Sequence, residues 1–357
     1  SITIKQEVPL VPAASKELRP HRLAVGLYDI SGDSLKLRKT VELDVVGEST
    51  VVAELAGEKV ADLLLINDRD LSYAKLRFDE RSIATLKTHL GKLDDALARS
   101  LCWASIWDMH RDAEISSADF LEIALNGLAG ESDDAIVNIV LAQLGTSVEA
   151  YAKDSNRDAY REKLADGLWS LTQNSAPGSD LQLLISRAFA INAQTAEQTA
   201  KIRELLNGSA PGLKVDADLR WYFLIALTER GATTKAELDA EVAMDNTTTG
   251  NLAFETCLAA MPNNEAKAYA FNKGLDAEVA TSVRTALVAG FQRPIQRTLL
   301  EPFVNLYFDN LISVWESRSY EPAAKFVTGF YPTWIVKQST VDATNVWLSG
   351  VGKDAPT

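Results

Sequence analysis

Between Leu93 and Gly130 apolar positions crowd together, in the stretch LDDALARSLCWASIWDMHRDAEISSADFLEIALNGLAG. Leu97, Leu101, Cys102, Trp103, Ala104, Ile106, Trp107 and Met109 fall within about three and a half helical turns and leave almost no polar face. That pattern predicts a core helix buried on nearly every side. The second half opens with Ser116 and Asp119 at capping-box spacing, sets Phe120, Ile123, Ala124 and Leu128 on one side, and meets Gly127 and Gly130 as stop signals. The stretch therefore predicts a helical hairpin, and the rest of the chain repeats the device.

From Ile2 to about Asp79 the apolar period is two. Leu35, Leu37, Val41, Leu43 and Val45 alternate with mostly polar residues, as in a strand with one dry and one wet face. Leu23 to Ile30, Thr50 to Leu55, Val60 to Ile66 and Tyr73 to Phe78 read as further strands. Turn signals at Ser31-Gly32-Asp33, Gly47-Glu48 and Gly57-Glu58 separate several of them. Together they predict a small antiparallel β-sandwich over residues 1–79, with Val8 to Pro20, holding Pro9, Pro12 and Pro20, as a surface loop.

After Asp79 the period becomes helical and stays so. Starts are expected at Ser132, Thr146 with Glu149, Asp216, Thr234 with Glu237, Asp276, Ser319 with Pro322, and Ser339 with Asp342. Stops are expected at Gly145, Gly208, Gly231, Gly274 and Gly290. The expected fold class is mainly α, a small antiparallel sandwich and then, over residues 80–357, a large all-α HEAT- or armadillo-like solenoid. No residue signature recurs at a fixed period. The least ordered connections are expected at QNSAPG, Gln173 to Gly178, and NGSAPG, Asn207 to Gly212.

Composition narrows the function. At 357 residues and 46% hydrophobic content, a sizeable core is assured. A net charge of -13 repels phosphate backbones and anionic membrane surfaces, which sets nucleic acid and lipid partners aside. No apolar run reaches membrane-helix length, and SITIKQEVPL lacks a signal-peptide layout. The cytoplasm is the expected compartment, with Cys102 and Cys257 as reduced core residues and the sequons at Asn207 and Asn246 as chance matches. The only methionines are Met109, Met244 and Met261, so an excerpt of something longer is expected.

Candidate chemistry is thin. His21, His89 and His110 are the only histidines, none has another four residues away, and the zincin pattern is missing. His110 reads as a partly exposed residue at a helix C-terminus, and His21 as an ordinary residue at a strand start. Asp108, Asp112 and Glu114 beside Trp103 and Trp107 could be drawn as a glycosidase acid–base pair with a sugar platform. Arg111 among these acids, and Asp95 four residues before Arg99, instead suggest salt-bridged helix faces over core tryptophans. Neither a nucleophile elbow nor a phosphate loop is present, and neither cysteine has basic company. No catalytic, cofactor-binding or metal residue is expected in this chain.

Several stretches resemble one family. They are LRPHRLAVGLYD (Leu18 to Asp29), LLLINDRDLSYAKLRFDERSIATL (Leu63 to Leu86), SLCWASIWDMHRDAEISSADF, GLKVDADLRWYFLIAL (Gly212 to Leu227) and FVTGFYP (Phe326 to Pro332). Together they are similar to the C-terminal half of the actinobacterial form of aminopeptidase N, across essentially the whole chain. The resemblance implies a zinc metallopeptidase. Its β-saddle and thermolysin-like domains precede this region, and its zinc ligands, Gly-x-Met-Glu-Asn segment and transition-state tyrosine map onto no position here. What it leaves is a sandwich and a helical cap, whose concave face walls the chamber for peptide substrates. The expected partners are the N-terminal catalytic domains of the same polypeptide. Asp216, Arg220 and Trp221, and Glu241, Asp245 and Thr247, stand out as family-like, though helix caps and inter-helix ion pairs explain them more simply. A free-standing helical-repeat scaffold with a concave binding face stays open as the alternative.

Overall fold

The computed structural model describes residues 2–8 and 17–355, so most of the expected proline loop lies outside the described residues. Five strands come first: β1 (Ile2–Lys5), β2 (His21–Ser31), β3 (Ser34–Val45), β4 (Ser49–Val52) and β5 (Leu63–Ile66). They form two antiparallel sheets, β1–β4 and β3–β2–β5. Ile4 and Val52 from the first sheet and Leu23, Val25, Leu27, Leu43 and Val45 from the second share one apolar core, as the alternation predicts. The alternation fails at one place. Register shifts opposite Leu27/Tyr28, where the extra residue Arg38 turns outward to ion-pair with Asp29 and Glu58, and Leu37 is left exposed.

Tyr73 to Phe78 is not a strand. Its alternation is real, with Leu76 and Phe78 buried and Lys75 and Arg77 outward. The segment lies along the end of a helix rather than a neighbouring strand: Lys75 and Arg77 pair with Asp112, Arg77 also pairs with Glu114, and the Phe78 N–H reaches Met109 Sδ at 3.4 Å.

Sixteen α-helices come next among the described residues: α1 (Glu80–His89), α2 (Ala96–Arg111), α3 (Ser117–Leu128), α4 (Asp134–Thr146), α5 (Asp154–Asn174), α6 (Asp180–Asn192), α7 (Ala196–Leu206), α8 (Ala217–Thr228), α9 (Lys235–Met244), α10 (Thr248–Ala260), α11 (Asn264–Leu275), α12 (Thr281–Phe291), α13 (Arg297–Leu300), α14 (Phe303–Glu316), α15 (Tyr320–Gly329) and α16 (Gln338–Ser349). The mainly helical fold with a small β part is as expected. The chain forms two compact units. One holds the described residues up to Ala176 with Asp180–Ile185, and the other holds Pro177–Ser179 with those from Ser186 onward.

In the first unit the hairpin of α2 and α3 forms as predicted, with Ser116 Oγ accepting from the Asp119 N–H. Its burial is less complete than the pattern suggests. Leu97 and Ala104 of α2 are exposed and Leu101 and Trp107 half-buried, while Cys102, Trp103, Ile106 and Met109 are inside. Gly127 lies within α3, and neither it nor Gly130 has a positive φ. A Cβ on Gly127 would lie 2.5 Å from the Trp103 ring, and one on Gly130 would lie 2.1 Å from the Gly91 carbonyl, so close packing rather than helix termination needs these glycines.

Other helix ends shift for similar reasons. α4 runs straight through Gly145, and the expected start at Thr146 is instead a π-helical turn, Ser147–Tyr151, before α5 opens at Asp154. Asp133 rather than Ser132 caps α4, while Asp216 and Thr234 cap α8 and α9 as predicted. Asp276 comes after the end of α11, and α12 begins only at Thr281. Ser319 precedes α15 as expected, whereas α16 opens at Gln338. Gly208 and Gly231 do end helices with positive φ, whereas Gly274 and Gly290 lie inside α11 and α12.

In the second unit α8 is apolar all round and buried nearly all round, with Leu219, Trp221, Phe223, Leu224, Ala226 and Leu227 inside. Farther along, Phe271, Phe291, Phe303, Phe326 and Phe330 meet in an aromatic core with centroid spacings between 4.9 and 6.2 Å.

Candidate functional site

The acids at the end of α2 are held by cations from outside their own helix. Asp112 accepts from Lys75 at 2.9 Å and pairs with Arg77, and Glu114 meets Arg77 at 2.7 Å. The Lys75 hydrogen bond, with help from Arg77, keeps Asp112 below the ordinary carboxylate range. A glycosidase acid needs the opposite shift, so this cluster is not built for sugar cleavage. The ion pairs expected along the helix do not form in that way: Asp95 caps α2 at the Leu97 and Ala98 N–H groups, and Arg99 turns to Glu131.

Glu131 is a buried hub. Its carboxylate accepts from Arg99 Nη2 at 3.1 Å, Trp103 Nε1 at 3.0 Å and the Ser132 and Asp133 N–H groups. Burial alone would raise it, but these donors together hold it below its ordinary value. Trp103 is thus a core residue with its one polar atom satisfied.

His110 is buried, contrary to the expectation of partial exposure. α3 folds back over the end of α2, and the Phe120 ring stacks on the imidazole at 4.7 Å. Nδ1 lies 2.9 Å from the Ile115 carbonyl, which can only accept, so Nδ1 carries the proton and Nε2 receives the Ser147 hydroxyl at 2.8 Å. Desolvation pushes the group below its ordinary value. Trp107 and Tyr151, 5.8 Å apart, complete the aromatic cluster. Ser147 and Tyr151 bound the π-helical turn, which is what brings both to this histidine.

In the second unit, Asp216 caps α8 at the Leu219 N–H, and the other residues singled out as family-like link α8, α9 and α10. Arg220 donates to both oxygens of Glu241 at 2.7 and 2.6 Å, and Trp221 Nε1 donates to Asp245 at 2.8 Å. Thr247 donates to the other Asp245 oxygen while capping α10 at the Gly250 N–H. Hydrogen bonds from Thr247 and Trp221 hold Asp245 below its ordinary value. Caps and ion pairs thus account for these contacts, as the simpler reading implies.

Two features escaped sequence reasoning. An open groove of about 570 Å³ runs between α3 and α5, lined by Leu125, Ala159, Glu162, Lys163, Asp166 and Gly167. Lys267, fully buried, sends Nζ to the carbonyls of Ala259, Gly290 and Phe291 at 2.9, 3.0 and 3.3 Å, joining the C-terminal ends of α10 and α12. Burial lowers it to about 7. The available signal was its place on the stripe Lys267, Ala270, Phe271, Gly274, where a cation must go inward with the apolar residues.

Cys102 and Cys257 are buried free thiols. Burial raises both, Cys257 to about 12, so neither is an activated nucleophile. Among the described residues no group of three or more His, Cys, Asp or Glu side chains could hold a metal ion, and no helix is long and apolar enough to cross a membrane.

Comparison with known proteins supplies what the geometry does not. The model of a family described as the ERAP1-like C-terminal domain matches residues 63–356. Aminopeptidase N of Streptomyces lividans is 40% identical to this chain over 362 residues, covering 99% of the chain and 42% of that protein. The chain thus spans less than half the length of this relative.

Proposed function

Because the chain belongs to the ERAP1-like C-terminal domain family, we propose that it is the non-catalytic C-terminal part of a zinc aminopeptidase that removes N-terminal residues from peptides. One observation carries this reading: the alignment takes in 99% of this chain but only 42% of an aminopeptidase N, so over half of the relative has no counterpart here. The residues present do not fit zinc. His110 has both ring nitrogens engaged in the core, and His21 and His89 stand at the start of β2 and the end of α1. The metal and the hydrolytic step accordingly belong to the other domains of the polypeptide.

In this reading the helices supply a wall of the peptide chamber. Supporting it is their cross-linking by polar ties, such as the part-buried Arg220–Glu241 and Trp221–Asp245 bonds and the buried Lys267 staple. We place the border between a β-sandwich domain and a helical cap domain at Asp79, where the period changes and α1 receives its cap. We also place the protein in the cytoplasm, in keeping with its two free buried thiols.

The test is metal analysis with a chromogenic amino-acid substrate. The intact polypeptide should hold stoichiometric zinc and turn the substrate over, and the 357-residue chain alone should do neither. Zinc kept by the isolated chain through dialysis, with turnover lost in chelator, would overturn the proposal.

A further inference from the structure

Where α6, α8 and the turn after α12 meet in the second unit, cations outnumber acids. Glu229, just past the end of α8, is buried with both oxygens taken: Oε1 accepts from Arg230 Nη1 at 2.5 Å, and Oε2 ion-pairs with Arg293 Nε at 3.2 Å. Arg230 also reaches the carbonyls of Ala193, Ala226 and Ile191. Arg187, on α6, has no acid beside it; its guanidinium lies 5.4 Å from the centroid of the Tyr222 ring on α8. Arg187, Tyr222 and Arg293 are all half-buried. The outer nitrogens of Arg187 and Arg293 and the Tyr222 hydroxyl stay open to solvent, with no hydrogen-bond partner among the described residues.

Three guanidinium groups thus share one carboxylate, in a chain whose net charge is -13. The open donors are held in place. Gln296 Nε2 ties the turn carrying Arg293 to the carbonyls of Glu229 and Ala260 at 2.7 and 2.8 Å, and the Tyr222 ring supports Arg187. Burial pushes the Tyr222 phenol up to about 12, so it remains a donor at neutral pH. Two forked guanidinium groups and a hydroxyl, with positive charge to spare, match an anion that presents two oxygens.

We propose that Arg187, Tyr222 and Arg293 bind a carboxylate of the peptide substrate, on the reading of the helices as a chamber wall. A peptide shortened from its N-terminus always keeps its C-terminal carboxylate, and acidic side chains supply others. The guanidinium groups grip either one while residues leave from the opposite end, so the cluster sets affinity for peptides.

The experiment uses the intact polypeptide and one peptide as free acid and as C-terminal amide, each with Glu or Gln at one internal position. Calorimetry with N-acetylated forms, which offer no free amine for removal, reads binding alone; KM for the unblocked forms reads its use. Losing the recognised carboxylate should weaken binding and raise KM about tenfold, as loss of a charge-assisted contact does. Whichever replacement has this effect, at the C-terminus or at Glu, names the source. Arg187→Gln should shrink the difference to about twofold or less. Tyr222→Phe, which removes a single oxygen and leaves the packing in place, should shrink it in part. Equal binding of all four forms, or a difference that both variants leave intact, would overturn the site whatever the turnover. Carboxylate-dependent binding by a polypeptide that hydrolyses none of the unblocked forms would keep the site and overturn the peptidase reading instead.

Discussion

At the scale of single residues, His110 shows how burial changes the role of a group. Protonation would put a second N–H on Nε2, where the Ser147 hydroxyl now donates, and would charge a ring stacked on Phe120. Its folded-state value is depressed, so between that value and the ordinary histidine range the unfolded chain binds the extra proton. Stability from this group is therefore complete above about pH 6.5 and is lost as pH falls through the folded value. Urea melts of the wild type from pH 7.5 to 5 should show that decline, and His110→Gln should flatten it; an unchanged slope would mean that the imidazole is not sealed. The tryptophans divide in the same way. Trp103, buried with its Nε1 on Glu131, should cost about 3–5 kcal/mol on truncation to alanine, and half-buried Trp107 distinctly less. The sequence put both in the core, because helical periodicity tells which residues are apolar but not which face the neighbouring helix covers. It missed the burial of His110 because the covering ring, Phe120, arrives only when the hairpin closes.

Among elements, glycine separates what sequence can and cannot signal. Gly208 and Gly231 read correctly as stops, since a left-handed residue after a helix is a local requirement. Gly127, Gly130 and Gly290 look the same in sequence but answer to contacts far along the chain. A Cβ at Gly290 would lie 2.3 Å from the Thr256 carbonyl on α10. Gly130→Ala, which must push against the Gly91 backbone, should cost about 1–3 kcal/mol. Gly145→Ala, inside α4 with nothing within 4 Å, should instead gain about 0.5–1 kcal/mol. Equal effects in paired denaturant melts would refute the packing account. The Lys267 staple belongs to this scale too. Burial lowers it to about 7, so the unfolded chain binds the extra proton between that pH and the ordinary lysine range. The sign is opposite to that of a lysine gaining an acidic partner: stability of the second unit should rise as pH increases from about 7 towards 10. Lys267→Met should remove that rise, as amide exchange at the ends of α10 and α12 would show.

For the whole molecule, the strand-to-helix order was legible because period two gives way to period 3.6 at one place. Of the candidate clusters, the cap at Asp216 was legible, whereas the Glu131 hub was not, because its partners Arg99 and Trp103 come from a helix well back along the chain. In the proposed role, separately made halves of the polypeptide should meet again. An interface between domains of one chain typically buries about 600 to 1,500 Å², enough for association that is weak once the tether is cut. A wall of the peptide chamber should then matter more to a peptide that spans it than to a single-residue chromogenic substrate. Adding this chain to the catalytic part should therefore raise the ratio of peptide to chromogenic turnover, in step with binding measured by calorimetry. Binding without a change in that ratio would reduce the helices to passive support, and no binding at any practical concentration would favour a free-standing scaffold.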